Sequence, residues 1–393
     1  MLVEIPSPRH WLRNRRNSSE TPRSLFSRCN TACRGALPDE GLLRPRRCGS
    51  RSASFYATIG SMRRALSIVA VAFLGLLLLG VAVFEVRHQR GNRRAAEIIE
   101  TFEVVPVEDL GSTKTLRILP LIDYHTSDPA LRTEVGVSYL VETDEHRVLF
   151  DLGQNTDFET PSPLEANMAK LGVDLASIDT VFISHNHLDH VGGMHWSARN
   201  TFSLGTEQRP FPNSKLRAVV PDQMTYPGLS PIFATRPMRI GQGVATTGLI
   251  PRQLVVGWIE EHSLVVNVEG LGGVIIVGCG HQPVPNLIAR FDDSFDFPLY
   301  AIVGGLHFPV PEGRMNLGPV NLQRRFASGD GFFQPITMEE VEEQIELLKS
   351  YDLGLIAVGG HDSSDAVIER VRDAFGVAHR YVRVGEEIII RAP

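Results

Sequence analysis

The stretch TVFISHNHLDHVGG, residues 180–193, decides how this chain is to be read. Its opening residues are a short apolar run of the kind that makes a buried strand, ending near Ser184. Directly behind stand His185, His187, Asp189 and His190, three imidazoles and a carboxylate within six residues. Imidazole nitrogen and carboxylate oxygen are the donors that hold zinc and similar divalent ions. Gly192 and Gly193 follow, so the cluster belongs to a loop. His185 and His187 alternate and can converge on one ion, while Asp189 and His190 can turn to a second ion or complete the shell of the first. The plainer alternative is a set of surface histidines that respond to pH.

Other histidines repeat the same placement. His281 in VGCGHQP, His307 in VGGLHFP and His361 in AVGGHDS each follow an apolar strand and glycine, which lets the backbone turn sharply near an ion. One histidine after a strand is more often structural than a ligand; three with one layout beside the HxHxDH loop reverse that expectation. Cys279 stands two residues before His281. Thiolate is a good zinc donor, but alternation along a strand aims Cys279 away, so it is expected to be a small buried residue. His125, His195 and His262 lie near the motifs and are not assigned to the chemistry.

Residues 116–122, 137–143 and 146–153 read as strands separated by turns. Residues 163–171 read as a helix opening on Pro163. Residues 264–268 and 273–278 resemble a hairpin, and 299–305 and 355–360 are further buried strands. Thr337 and Glu340 form a capping box for a helix whose Val341, Ile345 and Leu348 mark one apolar face. Another helix covers 365–375. Strands in runs, mixed with helices, indicate an α+β class with sheets packed together and helices outside.

The chain has 393 residues, 43% of them hydrophobic and 21% charged, a globular composition with room for one large domain or two. Its net charge of −6 conceals an asymmetry. Residues 1–64 carry 13 Arg, no Lys and four acids, a net +9; residues 65–84 carry no charge; the remainder therefore carries −15. An acidic body makes a nucleic-acid partner unexpected, because phosphates need a basic footprint.

Residues 65–84, ALSIVAVAFLGLLLLGVAVF, are enough apolar residues to cross a bilayer as a helix. The run exceeds the apolar region of a cleaved signal peptide, about 7–15 residues, and lacks a good cleavage site. It is therefore expected to be an uncleaved signal anchor with a single transmembrane helix. The Arg-rich leader favours an N-terminus inside and a body outside the cytoplasm. Residues 1–61 are rich in Arg, Ser and Pro without a sustained hydrophobic period, and are expected to be disordered. Met62-Arg63-Arg64 before the apolar run reads as a natural start, which would leave the leader untranslated; a transit peptide is the alternative. The expected organisation is thus leader 1–61, anchor 62–84, a polar, partly helical linker 85–114 and a catalytic domain 115–393. Three of the four cysteines fall in the leader, leaving Cys279 alone in the body without an internal disulfide.

ISHNHLDHVGG, VGCGHQP and the late His361 resemble the metallo-β-lactamase superfamily, over roughly residues 116–393. VLFDLGQN, EHSLVVNVEGLGGVIIVGCGH and AIVGGLHF are similar to its branch of metal-dependent hydrolases that includes dihydropterin and aminobenzene ribofuranosyl phosphate synthase-like proteins. The resemblance implies an αββα sandwich with a two-metal site at one edge of the sheets. It assigns His185, His187 and His281 to the first metal, and Asp189, His190 and His361 to the second. It places Asp151 behind a ligand histidine, which it orients; a turn residue before Gly153 is the plainer alternative. Many members carry a bridging Asp where this chain has His307. A neutral imidazole bridges two ions poorly, so His307 either holds the second metal more weakly or contacts substrate. The narrower branch shares the GGxH form, but its usual HCTG ending is replaced here by His361-Asp362-Ser363-Ser364.

The resemblance implies hydrolysis. Two divalent ions, zinc by default with iron or manganese able to take the same donors, would activate a shared water. The metal-bound hydroxide, oriented by Asp189, would attack a small ester, lactone or phosphoester. A synthase or transferase acting on a phosphorylated pterin-type precursor is the alternative, opposed by an extracytoplasmic location. A non-catalytic metal-binding protein is the third. The superfamily name itself does not imply β-lactamase activity. Residues 307–334 are long enough to form a lid over a small-molecule substrate. Arg324 and Arg325 there could clamp a phosphate or carboxylate; a solvated pair is the more ordinary expectation.

Overall fold

A computed structural model of the chain describes residues 51–393, so most of the expected leader, residues 1–50, lies outside the described residues. The chain divides into two units, Met1–Ala70 and Val71–Pro393. Helix α1 runs Arg51–Thr101, so residues 51–61 of the expected leader and the opening of the expected linker are helical. No proline interrupts it before Pro106. Its apolar stretch faces outward: Phe73 and Leu76 are 70% and 69% exposed, which a soluble core helix would not tolerate. The part Arg64–Thr101 is long and apolar enough to cross a membrane. Further along α1, His88 and Ala95 are buried and Ile99 packs against core residues.

The body then builds two sheets. Along the chain come β1 (Thr115–Ile122), β2 (Ser138–Glu142), β3 (Arg147–Phe150), α2 (Pro163–Lys170), β4 (Thr180–Phe182), α3 (Met194–Ser197), β5 (Arg217–Val220) and β6 (Ile232–Phe233). Next are β7 (Met238–Gly241), β8 (Val244–Thr246), the hairpin β9 (Ile250–Leu254) and β10 (Gly257–Glu261), β11 (Leu264–Val268), β12 (Gly272–Val277), α4 (Val284–Ser294) and β13 (Leu299–Gly304). The chain closes with the small hairpin β14 (Asn316–Leu317) and β15 (Val320–Asn321), α5 (Leu322–Ala327), α6 (Met338–Lys349), β16 (Leu355–Val358), α7 (Asp365–Phe375) and β17 (Ile388–Arg391). One sheet has the order β17-β1-β2-β3-β4-β5-β6 and the other β16-β13-β12-β11-β8-β7.

Period-2 alternation explains why these strands look apolar throughout. In β12, Val274 and Ile276 point between the sheets, while Ile275 and Val277 point to the helices α4, α6 and α7. In β2, Tyr139 and Val141 join the same inter-sheet layer, and Leu140 turns the other way towards α2. Three apolar layers result, and the architecture is helix, sheet, sheet, helix, as expected. The helices follow from local chemistry. Ser162 and Glu165 form a capping box on α2, Thr337 and Glu340 do so on α6, and Ser364 caps α7. Helix α4, which the sequence reading passed over, buries Val284, Leu287, Ile288 and Phe291 at helical spacing.

The consequence for function is directional. Strands β3, β4 and β5 run parallel, as do β12, β13 and β16. Each group of parallel strands delivers its carboxyl ends to one side, and ligands gather outside such ends.

Candidate metal centre

Every candidate ligand follows the end of one of these strands. Asp151 follows β3, the HxHxDH loop follows β4, His281 follows β12, His307 follows β13 and His361 follows β16. The structure brings them together. Ring centroids lie 4.7 Å apart for His185 and His187, 4.8 Å for His187 and His281, and 5.0 Å for His185 and His281. His281 Nε2 is 3.1 Å from His187 Nδ1. Beside this trio, His190 Nε2 lies 3.4 Å from Asp189 Oδ2, and the His190 and His361 rings are 5.6 Å apart. The His307 ring lies 4.5 Å from that of His281, tilted by 47°.

Asp151 organises two of these histidines. Its carboxylate accepts the Ser184 N–H and hydroxyl, both at 2.7 Å, and lies 2.7 Å from His190 Nδ1. His190 Nδ1–H thereby donates to Asp151, and Nε2 faces Asp189. Ser184 Oγ is also 3.0 Å from His185 Nδ1, so that ring turns its Nε2 inward. Asp151 sits at φ 54 and His307 at φ 51, in the left-handed region that non-glycine residues enter at a cost of about 1–3 kcal/mol.

The electrostatics match a site built for cations. Burial, then the neighbouring rings, push the imidazoles of His185 and His281 well below the usual histidine range. Burial brings His187 to about 4. Burial opposes charge on Asp189 and on His190, yet the surrounding histidines hold the Asp189 carboxyl below its usual range. Cys279, Asp189 and Asp151 together raise His190 well above its own. His185 Nε2, His281 Nδ1 and both nitrogens of His307 and His361 are buried without a hydrogen-bond partner. A buried polar atom left unpaired costs about 1–3 kcal/mol. The neutral imidazoles of His185 and His281, each with an unpaired buried nitrogen, stand next to one ionised carboxylate, and such a set fits divalent metal ions.

Several participants escaped the sequence reading. Glu261 is fully buried and accepts the backbone N–H groups of Gly280 and His281 at 2.9 and 2.8 Å, fixing the turn that presents His281. Burial raises its carboxyl to about 7 against those two bonds. Asp362 is buried beside His361, accepts the His307 N–H at 3.1 Å, and lies 3.5 Å from His307 Nδ1. Cys279 does not point away as expected: its Sγ is 3.1 Å from His190 Nε2. No sequence signal separates these carboxylates from ordinary ones.

The three histidines that lie near the motifs have other places in the structure. His262 is a strut between the sheets, with Nε2 2.7 Å from Ile183 O and Nδ1 2.8 Å from Thr246 Oγ1, its ring stacked on Phe182. His125 pairs with Asp365, and His195 is exposed beside Trp196.

Residues 307–334 border a cavity of about 330 Å³ that is walled by His281, His307, Arg252, Phe308, Ser328 and Asp330 among others. Arg324 and Arg325 are both half-buried. They donate to the carbonyls of Ile336 and Phe332, at 2.6 and 3.1 Å, and so shape the segment. Arg314 ties it to the His361 loop, donating to Gly360 O at 2.6 Å and Ser363 O at 2.7 Å.

Several known proteins are similar to this chain. The 7,8-dihydropterin-6-methyl-4-(β-D-ribofuranosyl)-aminobenzene-5'-phosphate synthase of Methanocaldococcus jannaschii is 23% identical over 239 residues, 51% of this chain and 80% of its own length. Among solved structures, a metal-dependent hydrolase of the β-lactamase superfamily aligns over 70% of this chain and 100% of its own, with 18% identity and a TM-score of 0.48. A metallo-β-lactamase fold protein of Bacillus subtilis aligns over 70% and 99%, with 13% identity and a TM-score of 0.43. The model of one family, described as the metallo-beta-lactamase superfamily, matches residues 131–361, more than half of the chain and nearly all of the centre just described, and this chain belongs to that superfamily.

Proposed function

We propose that this chain is a metal-dependent hydrolase of a small ester, lactone or phosphoester, anchored in a membrane through residues 65–84 with its body outside the cytoplasm. The observation that carries it is the set of buried, unpartnered imidazole nitrogens converging beside Asp189. His185, His187 and His281 would hold one ion; Asp189, His190 and His361 would hold the other, with His307 at the rim. Two divalent ions there, zinc by default, would lower the pKa of a shared water and polarise the scissile carbonyl or phosphoryl oxygen. Asp189 orients the attacking water, and Asp151 holds His190 in the productive tautomer. The cavity beside His281 and His307 receives the substrate, and the segment over it excludes bulk water. The exposed apolar face of α1 supports the anchor.

A second reading, a synthase acting on a phosphorylated pterin-type precursor, is supported by the likeness to the Methanocaldococcus jannaschii synthase. The metal-loaded full chain in detergent, screened with chromogenic esters, lactones and phosphodiesters, separates the two. Hydrolysis that disappears in the double variant His187→Ala, Asp189→Ala supports the first. Full activity in that variant refutes it, and silence on every hydrolysable substrate favours the synthase or a metal-binding protein without catalysis.

A further inference from the structure

We propose that Cys279 is a metal ligand, its thiolate joining Asp189, His190 and His361 around the second ion. The proposal rests on the two-metal reading above and adds a donor of different chemistry to it. Strand β12 ends at Val277, and Gly280 takes φ 78 in the turn that follows. Strand alternation therefore stops before Cys279, and Cys279 and His281 both reach the same centre. The thiol is buried, 3% exposed.

The distances describe a coordination shell. Cys279 Sγ lies 3.1 Å from His190 Nε2 and 3.9 Å from Asp189 Oδ2, while His190 Nε2 and Asp189 Oδ2 are 3.4 Å apart. Two donors on one tetrahedral zinc, with bonds near 2.0–2.1 Å to nitrogen or oxygen and 2.3 Å to sulfur, stand about 3.3–3.6 Å from each other. One donor atom of His361 falls in the same group, within 4.8 Å of the other three. Neither nitrogen of His361 has a hydrogen-bond partner, Nε2 lies 3.7 Å from Asp362 Oδ2, and the residue is fully buried. The same sulfur also groups with His185 and His281, and with His307 and Asp362. It stands where the two metal positions meet.

Charge supplies the reason. Two divalent ions need anionic donors; Asp189 is the carboxylate assigned to the two histidine sets, and Asp362, with Oδ2 3.7 Å from His361 Nε2, borders them. Asp151 is taken up by Ser184 and His190, Glu261 by backbone N–H groups, and Asp362 binds the His307 N–H. His307 adds an imidazole to this centre and not a carboxylate. A thiolate from Cys279 supplies a further anionic donor, its proton leaving to solvent as the metal binds.

The test uses the full chain in detergent, stripped of metal and titrated with cobalt(II). The second equivalent should bring a thiolate-to-cobalt charge-transfer band in the near ultraviolet. In Cys279→Ser that band should vanish, with the first equivalent bound as before and the second at least tenfold more weakly. X-ray absorption of the zinc-loaded, unmodified chain should show one sulfur at about 2.3 Å, a measurement that stands even if the variant does not fold. Two bound cobalt ions without the band, a band that survives in Cys279→Ser, or zinc without a sulfur neighbour would overturn the proposal while leaving the two-metal reading intact. Failure to bind any metal would overturn both.

Discussion

Replacing Asp151 with Asn separates orientation from ligation, because Asp151 is expected to touch no metal. Its carboxylate is fully buried and accepts three hydrogen bonds of 2.7 Å, from the Ser184 N–H, the Ser184 hydroxyl and His190 Nδ1. Asn is nearly the same size but offers one acceptor and one NH₂. The Ser184 N–H is a fixed donor and will claim the amide oxygen, which turns the NH₂ towards Ser184 Oγ and His190 Nδ1. Ser184 can rotate its hydroxyl. His190 can respond only by moving its proton from Nδ1 to Nε2, the nitrogen that faces Asp189. Losing such an outer partner typically costs 10–100-fold in metal affinity, about 1.4–2.8 kcal/mol. The second equivalent of zinc should therefore bind 10–100-fold more weakly and the first nearly as before, since His185 reaches Asp151 only through Ser184. Competition with a chromophoric chelator measures both constants. Two equivalents bound as tightly as by the unmodified protein would refute this account of His190.

Other expectations test the frame around the centre. His262 titrates near 4 in the fold through burial, against 6.5 in the unfolded chain. The unfolded chain thus binds this proton first, and stability present above about pH 6.5 falls by about 3 kcal/mol as pH drops to 4. Denaturant titrations of the metal-free protein at pH 7 and 4.5 should show a shallower acid loss in His262→Gln; an unchanged difference would remove His262 as a cause. Arg314→Met loses charge-assisted bonds to two carbonyls of the His361 loop, and should destabilise by about 2 kcal/mol and speed proteolysis within residues 312–334. Equal cleavage rates would show that Arg314 does not hold that segment. If residues 65–84 span a bilayer, the full chain should stay with membranes through salt and alkaline carbonate washes and leave only with detergent; release by salt would mean surface attachment.

What the sequence made legible, and what it hid, follows from how far apart the cooperating groups lie in the chain. Helices α6 and α7 were readable because a cap and a 3.6-residue period are local. Strand β5 was not, because its four residues carry no alternation and make sense only beside β4, whose end lies 35 residues earlier. Helix α4 was readable in principle: Val284, Leu287, Ile288 and Phe291 keep helical spacing from Pro283 onward. The candidate ligand histidines lie far apart in the chain too, yet the fold brings them together, and the topology gives the reason. In a run of parallel strands each carboxyl end reaches the same edge, so a repeated strand–glycine–histidine layout is already a statement about space. Glu261 and Asp362 break that link. Each is an ordinary acid in sequence, and only the backbone N–H groups folded onto it make it part of the site. Cys279 marks the limit of the strand rule itself. Alternation holds while the ladder lasts, and the ladder of β12 ends two residues too soon to turn that sulfur away from the metal centre.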